Sequence, residues 1–150
     1  LAAAAVAAPT GREAQVILRE VHHGGMALVA AWPGTLERVE AVLADYDCVM
    51  ALAPGRFMVV GWQVDPVPAL AAALDIDTGT VTDIGHARAA IRVSGPRAAD
   101  VLQKGLAIDL DPAAFPPGAS AQSAIHHGGV VVRRGGEDAF ELYCFRGLAL

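Results

Sequence analysis

Charge is scarce in this chain. Only 18% of its 150 residues are Asp, Glu, Lys or Arg, against about 25% in an average globular domain. Lysine occurs once, at Lys104, and 11 basic residues face 16 acidic ones for a formal net charge of -5. Binding nucleic acid through its phosphates needs a basic field, so that class is excluded. Long apolar runs are also missing: no stretch approaches the ~20 residues of a membrane-spanning helix. The opening Leu1–Ala8 run is too short and has no basic flank, so it reads as neither signal peptide nor anchor. Cysteine appears twice, at Cys48 and Cys144, in apolar surroundings. That favours two buried thiols in a reducing cytoplasm over a disulfide. Neither Gly-x-Gly-x-x-Gly nor Gly-x-x-x-x-Gly-Lys-Ser/Thr occurs, so no standard motif for FAD or NAD is present.

Apolar side chain is plentiful. Residues of this kind make up 54% of the chain, which excludes intrinsic disorder because burial can offset the entropy of ordering. The length suits one domain with a real core. The chain starts at Leu1 rather than Met and stops just after a strand pattern, so both ends of a longer protein are expected to be missing.

Gln15–Glu20 and Met26–Trp32 read as two strands joined by His22-His23-Gly24-Gly25, with the glycines expected to supply the positive φ angles of a hairpin. Pro33-Gly34 breaks the second strand. Leu36, Val39, Val42 and Leu43 then mark one face of a helix. A strand at 56–62 and a helix from Pro66 to Leu74, capped by Asp65, follow. Runs at 81–85 and 87–93 lead to Ser94-Gly95-Pro96 and a second helix. Ala98, Val101 and Leu102 are expected inward there, with Gly105 suited to a left-handed cap. Residues 109–118, with Pro112, Pro116 and Pro117, cannot be regular. Strands at 121–125, 130–134 and 138–145 then form a meander turning at His126-His127-Gly128-Gly129 and Gly135-Gly136.

Residues 27–43 and 89–105 repeat the order strand, proline break, amphipathic helix. Each is followed by a strand carrying an aromatic, Phe57 or Phe140. Strand, helix and returning antiparallel strand make the split βαβ unit of ferredoxin-like folds. The expectation is an α+β single domain over 1–150, built from two interlocked units with antiparallel sheets at approximately 15–78 and 79–150.

No constellation carries chemistry by itself. The two His-His-Gly-Gly tetrads could suggest a metal. However, adjacent residues of a strand point to opposite faces, and no Cys, Asp or Glu stands at ligand spacing. His86 reads as structural. Ser94 lacks a nucleophile elbow and reads as the lead into a helix. Asp109 and Asp111 flank Leu110 and read as solvated loop acids. The residues thus supply no catalytic, cofactor-binding or metal site. The apolar excess suggests surface buried by a partner.

Two segments carry a family resemblance. Gly79–Ile84 followed by Ala90-Ile91-Arg92-Val93-Ser94-Gly95-Pro96-Arg97-Ala98 and on to Gly105 resembles the strand and helix of the folate-binding module in the aminomethyltransferase (glycine-cleavage T-protein) superfamily. More narrowly, Lys104-Gly105, Ile108-Asp109-Leu110, Pro112, Phe115-Pro116-Pro117-Gly118 and Ala121-Gln122-Ser123 resemble the γ subunits of heterotetrameric sarcosine oxidases. Leu52–Val60 is similar to a strand of that family, with Gly55 and Phe57 as departures.

This resemblance implies a non-catalytic γ subunit beside larger α and β subunits and a small δ subunit. The complex demethylates sarcosine oxidatively to glycine. It would carry FAD, FMN, NAD and zinc and use tetrahydrofolate, with those groups belonging to the larger subunits. No nucleic-acid or membrane partner is implied. The alternatives are a stand-alone folate- or pterin-binding module and an unrelated ferredoxin-like regulatory domain that self-associates.

Overall fold

The computed structural model describes residues 15–148, so the Leu1–Ala8 run lies outside the described residues. In chain order the first elements are β1 (Ile17–Val21), β2 (Gly25–Ala31), α1 (Leu36–Leu43), β3 (Val49–Ala53), β4 (Arg56–Gly61) and α2 (Val67–Ala73). They continue with β5 (Gly79–Asp83), β6 (Arg88–Ser94), α3 (Ala98–Leu102), β7 (Ser120–Ile125), β8 (Gly128–Gly136) and β9 (Ala139–Phe145). A 3-10 turn at Arg146–Leu148 follows. These elements fall into two units, one of residues 22–88 and one of the flanking segments 15–21 and 89–148.

In the 22–88 unit the sheet order is β3-β4-β2-β5. Strand β4 lies between β2 and β3, antiparallel to both, and β5 pairs antiparallel on the far side of β2. A helix therefore bridges two parallel strands held apart by an antiparallel one, twice over, as ferredoxin-like folds do. Alternation along β2 and β4 turns Ala27, Val29 and Val59 to one face, where they pack with Val39 and Leu43 of α1 and with Leu70 and Leu74. Burying each of the larger aliphatic side chains is worth about 1.5–3 kcal/mol. Helix α2 starts where the sequence places it. Pro66 precedes it, and the Asp65 carboxylate accepts the Val67 N–H at 3.0 Å.

In the other unit the order is β1-β6-β9-β8-β7. At one end of the β6–β9 pair the Gly95 N–H donates to the Asp138 carbonyl at 2.9 Å. At the other end Cys144 approaches the Ala89 carbonyl, so the two strands run antiparallel. Strand β9 also pairs antiparallel with β8, which makes β6-α3-β8 a third split βαβ arrangement, with β7 added at the edge. Phe57 on β4 and Phe140 on β9 occupy the equivalent returning strands. The core joins Val93, Ala98, Leu102, Leu106, Val130, Val132, Phe140 and Leu142 to Leu110 and Phe115 from the proline-rich stretch. The architecture is α+β with two antiparallel sheets.

Several local expectations are corrected. Strand β1 does not form a hairpin with β2; it pairs with β6, from Ile17 opposite Ser94 to Val21 opposite Ala90. Gly24 and Gly25 are not among the residues with positive φ. They give room to the 63–65 segment. A Cβ on Gly24 would lie 2.7 Å from the Val64 backbone nitrogen, and one on Gly25 would lie 2.3 Å from the Asp65 carboxylate. The second His-His-Gly-Gly tetrad does turn a hairpin, with Ile125 opposite Gly128. Its positive φ falls on His126, at 52°, rather than on a glycine. Val101 is 46% exposed, because α3 spans one turn and a half and only Ala98 and Leu102 reach the core. Gly105 is not among the positive-φ glycines.

Candidate functional site

Three polar residues are buried among the described residues: Thr78, Arg134 and Glu141. A buried polar group must be partnered, so these positions show where the chain has concentrated its electrostatics.

Arg134 lies on β8 in phase with Val130 and Val132, so alternation carries it toward the apolar face of the sheet. Its guanidinium donates to the carbonyls of Leu110 and Phe115, both at 3.0 Å, to Gly136 at 3.2 Å, and to Glu137. It also stands 5.0 Å from the centre of the Phe140 ring. The carbonyls of Leu110 and Phe115 belong to the proline-rich segment. Prolines deprive that segment of ladder donors, and one planar fan of N–H groups ties it to the sheet instead. Asp109 and Asp111 serve the same loop: their carboxylates accept the N–H groups of Asp111 and Ala113, each at 2.9 Å.

Glu141 lies on β9, on the opposite face of the sheet. One carboxylate oxygen accepts from Arg92 at 3.0 Å and the other from Arg133 at 2.9 Å. Room for the carboxylate comes from Gly135, where a Cβ would lie 2.4 Å from the Glu141 Oε1. Arg133 sits directly opposite Glu141 in the ladder, and Arg92 on β6 sits directly opposite Arg19 on β1. Beside these arginines runs an open groove of about 460 Å³ lined by Ile17, Arg19, Glu20, Val21, Arg92 and Ser94.

The third buried group organises a corner of the 22–88 unit. The Thr78 hydroxyl donates to Asp75 at 2.5 Å, and the Thr35 hydroxyl donates to the Thr78 carbonyl at 2.6 Å. The Trp32 ring N–H reaches the Ile76 carbonyl at 2.7 Å. The Thr78 hydroxyl, foremost, and the charge of Arg38 hold the Asp75 carboxyl below the usual carboxylate range. A depressed folded-state pKa means that the bond's stabilisation is present above the unfolded value. It is lost as pH falls through the folded value. Thr78→Val is therefore expected to raise the Asp75 titration midpoint toward the ordinary range of a solvated carboxylate. The Asp75 side-chain carboxyl chemical shift followed against pH would show this; an unchanged midpoint would contradict the assignment.

The residues weighed in the sequence fall elsewhere. His22, His86, His126 and His127 lie exposed in connections, and Ser94 ends β6 at the groove. No three His, Cys, Asp or Glu side chains among the described residues come together as a metal site. Cys48 is buried and Cys144 half-buried, and neither is in a disulfide. No helix among the described residues is long and apolar enough to cross a membrane. The sequence reading missed Arg134 and Glu141. The strand alternation of β8 was the available signal for Arg134, because it sets that arginine in line with two core valines.

Comparison with known proteins places this geometry. The chain is similar to a heterotetrameric sarcosine oxidase from Corynebacterium sp. U-96, solved in complex with pyrrole 2-carboxylate. The TM-score is 0.80 at 24% identity, covering 89% of this chain and 77% of that one. At that identity the likeness concerns the fold. Among curated proteins none matches. The family model described as "Sarcosine oxidase, gamma subunit family" matches residues 2–150. On that match the chain belongs to the sarcosine oxidase gamma subunit family.

Proposed function

We propose that this chain is the γ subunit of a heterotetrameric sarcosine oxidase and supports the oxidative demethylation of sarcosine to glycine without an active site of its own. The observation that carries this reading is the family match along nearly the whole chain. The use of the buried polar groups supports it, since Thr78, Arg134 and Glu141 are each engaged by the chain's own side chains and carbonyls. FAD, FMN, NAD, zinc and tetrahydrofolate belong, on this proposal, to the larger subunits. Among the described residues there is no donor set for the metal, and the sequence has no standard dinucleotide loop. The resemblance of residues 79–105 to the folate-binding module of aminomethyltransferases extends the proposal to ancestry: β5, β6 and α3 are the elements that carry that pattern.

Co-expression with the flavin-bearing subunits tests the function. The expected result is a yellow complex retaining this chain in stoichiometric amount, whereas the chain expressed alone is colourless. In the assembled complex, His86→Ala and Arg97→Ala should leave the rate of flavin reduction by sarcosine unchanged, since both residues are exposed and outside the buried clusters. Loss of chemistry in an intact complex, or tight tetrahydrofolate binding by the isolated chain, would overturn the proposal. The second outcome would favour a stand-alone folate-binding module.

A further inference from the structure

Little apolar surface holds strand β1 to its sheet. It lies at one edge, with β6 on one side and, among the described residues, no strand on the other. Four of its five residues are exposed, Leu18 at 65% and Ile17 at 39%. The opposite edge is built differently, since Ala121 and Ile125 of β7 pack against the core around Val93 and Phe140. No residue of β1 belongs to that core. Only Val16, just before the strand, packs against it. An element that buries so little opens locally at a small part of the free energy of global unfolding.

Backbone geometry secures the start of the strand. Gly95, which follows β6 with a φ of 119°, lies against Gln15. A Cβ on it would come within 2.6 Å of the Gln15 carbonyl oxygen and 3.3 Å of the Val16 Cα. The same carbonyl accepts the Arg97 N–H at 3.2 Å, while the Gly95 N–H donates to the Asp138 carbonyl just ahead of β9. Ser94-Gly95-Pro96 is thus more than the lead into a helix. It gathers the approach to β1, the end of β6 and the approach to β9, and only glycine leaves room for the first of these.

We propose that β1 is a detachable strap, clasped at Gly95, that lifts from β6 while the rest of its sheet stays folded. Lifting breaks the ladder that runs from Ile17 opposite Ser94 to Val21 opposite Ala90, and it uncovers the backbone edge of β6. The β8–β9 ladder and the core of Val93, Leu102, Val132 and Phe140 contain no residue of β1, so they survive the opening. The strand stays tethered through residues 22–24, which makes the opening reversible. The edge of β6 is therefore available only while the strap is lifted. This inference is independent of the γ-subunit reading.

Native-state hydrogen exchange of the full chain, at denaturant concentrations below the unfolding transition, tests it. The amides of β1, and those of β6 that pair with it, are expected to exchange about a hundredfold or more faster than those of β8 and β9. Their rate should not change with denaturant, as befits an opening that exposes little surface. Gly95→Ala is expected to quicken exchange in β1 by about a further tenfold while moving β8 and β9 much less. Val16→Ala, which keeps the clasp and trims the core contact, should act in the same direction. Amides of β1 as protected as those of β8, or rising with denaturant in step with them, would overturn the proposal. Equal acceleration of β1, β8 and β9 in both variants would also overturn it, because strand and sheet would then open as one. Unaltered β1 exchange in Gly95→Ala would refute the clasp.

Discussion

Arg134→Met is expected to destabilise the unit of residues 15–21 and 89–148 by about 3 kcal/mol, the loss of donors to two buried carbonyls at about 1–3 kcal/mol each, less some relief of buried charge. Methionine retains much of the volume against Phe140 but supplies no donor, so the Leu110 and Phe115 carbonyls are left unsatisfied. Arg134→Lys should lose nearly as much. A single ammonium cannot span carbonyls at positions 110, 115, 136 and 137. Two readings check this. The denaturant midpoint should fall in both variants, and the amides between residues 109 and 118 should exchange faster than those of β8. If Arg134→Lys proves neutral, charge alone anchors the loop and the carbonyl fan has been overvalued.

Glu141→Ala should cost about 2–4 kcal/mol, somewhat below the range for breaking a fully buried pair because Arg92 and Arg133 keep partial solvent access. Gly135→Ala tests the same site from the other side. An added Cβ would fall 2.4 Å from the Glu141 carboxylate, which two arginines hold in place. It should destabilise by about 1–2 kcal/mol, within the usual range for overpacking. In a Glu141→Ala background that penalty should nearly vanish, since the clash has no second atom. Additive costs in the double variant would show that Gly135 is required for some other reason.

These two clusters mark the boundary of what the sequence discloses. Local periodicity carried well. Val39 and Leu43 are buried on the helical face that their spacing indicates. Asp65 and Pro66 do begin α2, and residues 120–145 do form a meander. Helix and hairpin signals are short-range, and the relevant residues act on neighbours a few positions away. Pairing partners are not local. Strand β1 meets β6 more than seventy residues later, and nothing in the order of residues 17–21 discriminates β6 from the nearby β2. The duplicated His-His-Gly-Gly shows the same limit. One copy turns a hairpin and the other is a crossing between units, although the letters are identical. Gly24 is needed for the close approach of Val64, a contact forty residues away in sequence. The buried arginine was half legible, since its phase with Val130 and Val132 could be read. Its carbonyl partners could not, because they lie in a loop with no regular pattern.

The γ-subunit family was read from residues 52–60 and 104–123, where proline and glycine punctuate the chain at characteristic positions, and the match across residues 2–150 bears this out. The proposed mode of action goes further. It assigns redox chemistry to companion subunits and to this chain a structural part, performed by a sheet whose buried Arg134 and Glu141 are held by the chain's own groups.

The most direct test is sedimentation velocity of the purified chain, alone and mixed with the larger subunits, followed both at a flavin absorbance and at a protein absorbance. The account predicts one slow, colourless boundary for the chain alone, which disappears on mixing into the fast boundary that carries the flavin. A chain that sediments separately from the flavin-bearing subunits, or that shows flavin absorbance by itself, would contradict it.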